Sequence, residues 1–300
     1  MRRRQFLSLS AAAAAIAPFA SCGMASSSGA RHPMGYQLFS ARDALAENAV
    51  ETLRALGEMG YRHYEGHGYD DATDRMYGLA PTELQQHLTE MGTPMTSAHF
   101  GFANYLTESD DVLRAYTDRC LSAAEALSLE YLVWPIIPEE FRDREGFERL
   151  ASRLNVIGEH LRGSGRQFAF HNNGGEFLPL DADGASGYDI VVAETDAADV
   201  KLQLDMYWLA YDRGSSPAEL IARNPERFVM WHVKDMHPVS RDYTELGAGS
   251  IDYTKKIPAI NPAGLQHLYL EQGGNFTETS MMSAEQSAQH WKDELAGLVG

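Results

Sequence analysis

Eight short runs rich in β-branched and aromatic residues recur along this chain at similar intervals, and that recurrence restricts the fold more than any other feature of the sequence. They begin near Met34, Tyr61, Pro94, Tyr131, Gln167, Val200, Phe228 and Leu265, so the spacings are 27, 33, 37, 36, 33, 28 and 37 residues. One buried strand, one amphipathic helix and two loops fill such an interval. The punctuation agrees. Pro81 stands in a first turn, Leu84, Leu88 and Met91 share a face, and Gly92 stops the helix. Phe147, Leu150, Leu154, Ile157 and Leu161 lie at helical spacing, and Ser216-Pro217 opens another helix that ends near Asn224-Pro225. Eight βα units filling residues 34–300 without a linker predict a single-domain α/β protein, a closed (β/α)8 barrel of the TIM type. A doubly wound sheet is the alternative, and the first strand lacks the glycine fingerprint that would favour it. No G-x-G-x-x-G, Walker loop or G-x-S-x-G occurs, which argues against nucleotide chemistry and the serine-hydrolase elbow.

Residues 1–22 stand apart from this pattern. Arg2-Arg3-Arg4-Gln5-Phe6-Leu7 precedes an alanine-rich apolar run to Ala20, the basic and apolar regions of an export signal. The run is shorter than the roughly 20 apolar residues that span a bilayer. Paired arginines followed by x-Phe-Leu resemble a twin-arginine signal, so the protein is expected to be exported, to the periplasm. Phe19-Ala20-Ser21-Cys22 resembles a lipobox, and a lipid on Cys22 is the one membrane attachment the sequence offers. Residues 23–33 are rich in Ser, Gly and Ala and read as a flexible tether. Cys120 is then the only other cysteine, set in an alanine-rich helical face, so no disulfide framework is available.

Charge narrows the partners. With 25 Lys plus Arg against 42 Asp plus Glu the formal balance is −17, which opposes nucleic acid and anionic membrane surfaces as partners. A hydrophobic fraction of 44% excludes a disordered acidic chain. A small-molecule partner is expected, and the sequence does not fix the oligomeric state.

In a barrel of this kind, reacting groups stand at the C-terminal ends of the strands. The sixth run stops on Asp205, the seventh on His232 followed by Lys234, and the eighth on Glu271. The fifth stops on His171 with Glu176 five residues later, the third on His99, and the second carries Glu65 and His67. A strand-terminal Asp is often only a loop cap, and a lone His in an apolar strand is often a core residue. Asp205, His232 and Glu271 end three successive strands, however, which sets them side by side on one rim. Two carboxylates and an imidazole there suit one Mn2+, Mg2+, Co2+ or Zn2+ ion, with no thiolate offered. The candidates for a fourth ligand are Glu176 and His171.

At these residues the sequence resembles the xylose isomerase-like sugar isomerase/epimerase family. The most specific stretches are Leu204-Asp205-Met206-Tyr207-Trp208, the run from Arg227 to Met236, and Leu246-Gly247-Ala248-Gly249-Ser250-Ile251-Asp252-Tyr253. His171-Asn172-Asn173-Gly174-Gly175-Glu176-Phe177 is similar to the family's fifth-strand motif, with Asn173 where a second histidine often stands. The run from Gly35 to Asp43 is similar to its first strand. The resemblance implies a divalent ion held by Asp205, His232, Glu271 and a fifth-strand group, with Glu176 as that fifth-strand ligand.

The chemistry expected is proton abstraction α to a carbonyl on an unphosphorylated sugar or keto-sugar. Glu176 and Glu271 would exchange the proton on opposite faces, with Lys234 stabilising negative charge. His171 and His99 would position hydroxyls, and Glu65, Trp134, Tyr207 and Arg42 would complete the substrate site. The alternative is a lyase or hydratase that expels a β-substituent from a keto-glycoside, with His171 as base. A non-catalytic sugar binder ranks below both, because it gains little from ligand geometry at three strand ends.

Overall fold

The computed structural model describes residues 32–182, 184–212 and 216–299. The leader at 1–22 with Cys22, and the tether up to residue 31, lie outside the described residues. Seven strands, β1 (Gly35–Gln37), β2 (His63–Gly66), β3 (Met95–His99), β4 (Tyr131–Trp134), β5 (Gln167–His171), β6 (Val200–Asp205) and β7 (Phe228–Val233), are followed by a two-residue ribbon. The ribbon pairs β8 (Asp235–Met236) with β9 (Tyr243–Thr244), and β10 (His267–Leu270) is the eighth barrel strand. Every barrel strand begins within two residues of the start expected from the spacing. All eight pair in parallel and close, β10 lying between β1 and β7. The helices are α1 (Arg42–Glu58), α2 (Pro81–Met91), α3 (Asp110–Ala126), α4 (Arg144–His160), α5 (Gly187–Glu194), α6 (Met206–Asp212), α7 (Pro217–Arg223), α8 (Tyr253–Lys256) and α9 (Ser280–His290).

Local chemistry explains the helix limits. Pro81 opens α2 at a position whose N–H has no intrahelical partner, and Gly92 closes it in the left-handed region at φ 68°. Asp143 caps α4 by accepting from Gly146 N at 2.8 Å. The α4 face of Phe147, Leu150, Leu154 and Ile157 is fully buried against the barrel, and each such side chain contributes about 1.5–3 kcal/mol relative to exposure. Cys120 is buried on α3 as a free thiol.

The inside of the barrel is layered. Tyr131, Val133, Ala169, Met230 and Tyr269 form a separate interior cluster. Side chains two residues further along a strand point the same way, so His171, His232 and Glu271 follow Ala169, Met230 and Tyr269 one layer nearer the C-terminal rim. The register pairs Asp205 with His232 across β6 and β7, and between β10 and β7 it is staggered, setting Tyr269 beside His232.

Candidate metal centre and cavity

Glu65, on β2, is the hub of the buried layer. Its Oε1 accepts from Ser97 Oγ at 2.6 Å and Gln203 Nε2 at 2.7 Å, and its Oε2 accepts from Gln37 Nε2 at 3.0 Å. His232 Nε2 and His99 Nε2 stand 2.5 and 3.1 Å from the same Oε2. Burial pushes the Glu65 carboxyl up, but the His99 and His232 rings and their hydrogen bonds outweigh it and hold it well below the usual carboxylate range.

The other ring nitrogen of His232 faces Glu271, with Nδ1 2.6 Å from Oε2. Burial alone would lower this imidazole, but Glu65 and Glu271 on its two sides push it up to about 9. Lys234, two residues on, places Nζ 2.7 Å from Asp205 Oδ2 and 2.9 Å from Glu271 Oε2. Burial raises the Glu271 carboxyl, and Lys234 with His232 outweighs that and lowers it.

Asp205 is held from behind. Its Oδ1 accepts from Tyr207 N at 2.9 Å and Trp208 N at 3.1 Å, which caps the first turn of α6 and leaves Oδ2 for the cluster. Asn172 locks the strand end reciprocally: its Oδ1 accepts from Asp205 N at 2.9 Å and its Nδ2 donates to Asp205 O at 3.2 Å.

Among the described residues, two sets of ligand atoms each lie within 4.8 Å of one another, one from Asp205, His232 and Glu271 and one from His99, His171 and His232. Asp205 Oδ2, His232 Nδ1 and Glu271 Oε2 are buried and close, and their near partners are one another and Lys234 Nζ. They converge on shared space, an arrangement that suits a cation. Charge agrees with a divalent ion. Glu65, Asp205 and Glu271 against Lys234 and a protonated His232 leave one negative charge, and exchange of the His232 proton for a 2+ ion leaves none. Asp205, His232 and Glu271 therefore fit a metal.

Above this layer opens a cavity of about 360 Å³. Its floor includes Gln37, His99, His171, Asn173, Lys234 and Glu271, and its walls include Phe39, Tyr69, Phe100, Trp208 and Tyr243. His171 is buried, and burial together with His232, His99 and Lys234 holds it well below the ordinary imidazole value, so it is neutral near pH 7.

The expected residues divide between the cavity and its surroundings. His99, His171, Lys234 and Glu271 line it. Glu65 lies beneath it, with both oxygens engaged. Glu176 does not line it: the side chain is buried and turns Oε2 to the N–H of Asn173, while Oε1 has no hydrogen-bond partner. Burial pushes Glu176 up to about 8. Trp134 packs in the outer core, stacked on Phe102 at 5.7 Å and donating Nε1 to Ile136 O. Tyr207 stands behind the wall, its hydroxyl donating to Arg241 O, and its neighbours Trp208 and Tyr243 reach the cavity instead. Arg42 lies over the Phe39 ring at 4.3 Å and lines an adjoining cleft. Sequence reasoning missed Gln37, Ser97, Asn172 and Gln203. The available signal was alternation, because Gln203 shares the inward face of β6 with Asp205.

A closed parallel barrel with acids and imidazoles gathered on one rim defines a (β/α)8 protein with a polar site at its C-terminal face. The profile of the xylose isomerase-like TIM barrel family matches residues 53–293, and the chain belongs to that family. Among solved structures, a sugar phosphate isomerase/epimerase from Parabacteroides distasonis ATCC 8503 is similar at TM-score 0.78 and 20% identity, covering 93% of this chain and 99% of that one. The IOLI protein with a binding zinc atom is similar at TM-score 0.70 and 14% identity, covering 89% and 99%. A probable 3-DHS dehydratase, AsbF, from Bacillus anthracis is similar at TM-score 0.66 and 11% identity, covering 87% and 99%. Likeness at these identities shows the fold. No curated protein sequence matches this chain.

Proposed function

We propose that the protein is a divalent-metal-dependent sugar isomerase/epimerase that moves a proton α to a carbonyl on an unphosphorylated sugar. The observation that carries this reading is the convergence of Asp205, His232 and Glu271 on one buried point beneath a cavity that Glu271, Lys234, His99 and His171 line together with aromatic walls. These three residues would hold the ion. When bound, it would act as a Lewis acid toward a substrate carbonyl and its neighbouring hydroxyl, lowering the cost of enediolate charge. The paired arginines and apolar leader of the sequence agree with export, where free sugars outnumber phosphorylated ones.

Of the groups on the floor, His171 is the proton acceptor in this reading, because it lines the cavity and its Nδ1 is uncommitted. His99 is steadied by Glu65 and by Gln203 Oε1 at 2.9 Å, and it orients a hydroxyl. Lys234 supplies positive charge to the developing oxyanion. Trp208 and Tyr243 present flat faces to the ring.

Glu176 is withdrawn from the cavity, so among the described residues no second carboxylate lines it opposite Glu271. That favours transfer by one base on one face over exchange between two carboxylates. One base also suffices for the second reading, elimination of a β-substituent from a keto-sugar glycoside. Incubating unphosphorylated ketoses and keto-glycosides with the ion-supplemented protein in deuterated water separates these readings. Solvent deuterium in an interconverted sugar supports isomerisation or epimerisation, and release of an aglycone supports elimination. Binding without either change would sink both in favour of a sugar-binding protein.

A further inference from the structure

We propose that Lys234 is the site's own counter-cation, which a divalent ion must displace from Asp205 and Glu271 before it binds. The inference rests on the metal reading above and concerns the side chain that shares the metal's oxygens. Nζ stands 2.7 Å from Asp205 Oδ2 and 2.9 Å from Glu271 Oε2, oxygens of the two carboxylates that converge with His232. An ammonium and a divalent ion at that separation from common oxygens repel each other strongly in a buried site.

The backbone at this position is fixed while the side chain has somewhere to go. Tyr253 donates its hydroxyl to Lys234 O at 2.6 Å, and the next residue, Asp235, anchors the following loop through Gly247 N at 2.9 Å, Gly249 N at 3.1 Å and Ile251 N at 3.1 Å. Lys234 also lines the cavity, so its flexible four-carbon stem can carry the ammonium upward without disturbing the strand. Glu65 offers no alternative berth, because both of its oxygens are engaged. Two consequences follow. The ammonium keeps Asp205 and Glu271 neutralised and in position without an ion, so the fold does not depend on metal. Ion binding then delivers the same positive charge to the cavity floor, where a substrate oxyanion would develop.

The test is calorimetric titration of the full chain with CoCl2, for wild type, Lys234→Met and Lys234→Arg, with thermal melts in EDTA and in Co2+. Lys234→Met removes the competitor and leaves two buried carboxylates uncompensated. Co2+ should bind it about tenfold tighter or more, and should raise its melting temperature by more than that of wild type. Lys234→Arg keeps a cation and should stay near wild-type affinity. Recovery of Lys234→Met only when it is refolded with Co2+ is the strong form of the same result, and Lys234→Gln gives the comparison if neither route yields protein. Equal or weaker Co2+ binding by the Met or Gln variant overturns the counter-cation role while leaving the metal site standing. Absence of Co2+ binding by every form, wild type included, removes the metal reading and this inference with it.

Discussion

Nε2 of His232 lies 2.5 Å from Oε2 of Glu65 while Nδ1 of the same ring lies 2.6 Å from Oε2 of Glu271, so one imidazole joins a saturated carboxylate below to an open one above. A ligand histidine that donates its remote N–H to a carboxylate is fixed in tautomer and orientation and becomes a better donor to metal. Glu65 thereby acts on the site through His232. Glu65→Gln should weaken Co2+ binding by about 10–100-fold, the usual cost of losing such a partner. Calorimetry reads this directly. A variant with a lowered melting temperature but unchanged affinity would limit Glu65 to packing.

Asp205 has two duties that substitution can separate. Asp205→Ala removes both the metal ligand and the cap on α6, and should lose ion retention together with about 1 kcal/mol of stability. Asp205→Asn keeps an oxygen able to accept from Tyr207 N and Trp208 N, so it should lose the ion and retain most of the stability. Metal analysis after dialysis, paired with urea unfolding, distinguishes them. Full ion retention in the alanine variant would remove Asp205 from the centre.

Barrel and rim were legible for different reasons. The barrel could be read because strand and helix periods differ and eight repeats of the alternation leave little choice. Asp205, His232 and Glu271 could be read because alternation along three neighbouring strands fixes which side chains point inward. Trp134 and Glu176 lay beyond that logic. Trp134 is on the face of β4 opposite the interior residue Val133 and packs against Phe102. Glu176 follows two glycines in a loop, where no period determines direction. The ring of donors around Glu65 was illegible because it joins β1, β2, β3, β6 and β7, and its members, Gln37 and Ser97 among them, are unremarkable singly.

The withdrawn position of Glu176 has a measurable consequence. Its carboxyl is raised from 4.5 to about 8 by burial, so the folded state favours the neutral form more than the unfolded state does. The stability this contributes is fully present below pH 4.5 and is lost as pH rises through about 8. Glu176→Gln keeps an acceptor for Asn173 N and carries no proton to lose. The difference in melting temperature between wild type and this variant should therefore shift in the variant's favour between pH 5 and pH 9. A constant difference would show that the side chain is not held neutral.

The loop after the ribbon makes the last prediction. Asp235 accepts from the N–H groups of Met236, Gly247, Gly249 and Ile251, gathering the 246–251 segment around its carboxylate. Gly249 permits that approach: a Cβ there would lie 2.0 Å from Asp235 Oδ1 and 2.7 Å from Met236 O. The second contact is with backbone, which cannot rotate aside. Gly249→Ala should therefore break one or more of these hydrogen bonds and cost about 2 kcal/mol or more. Because Lys234 immediately precedes Asp235, the damage should reach the metal centre as weakened Co2+ binding. A fully stable Gly249→Ala protein would show that Asp235 does not clamp this loop.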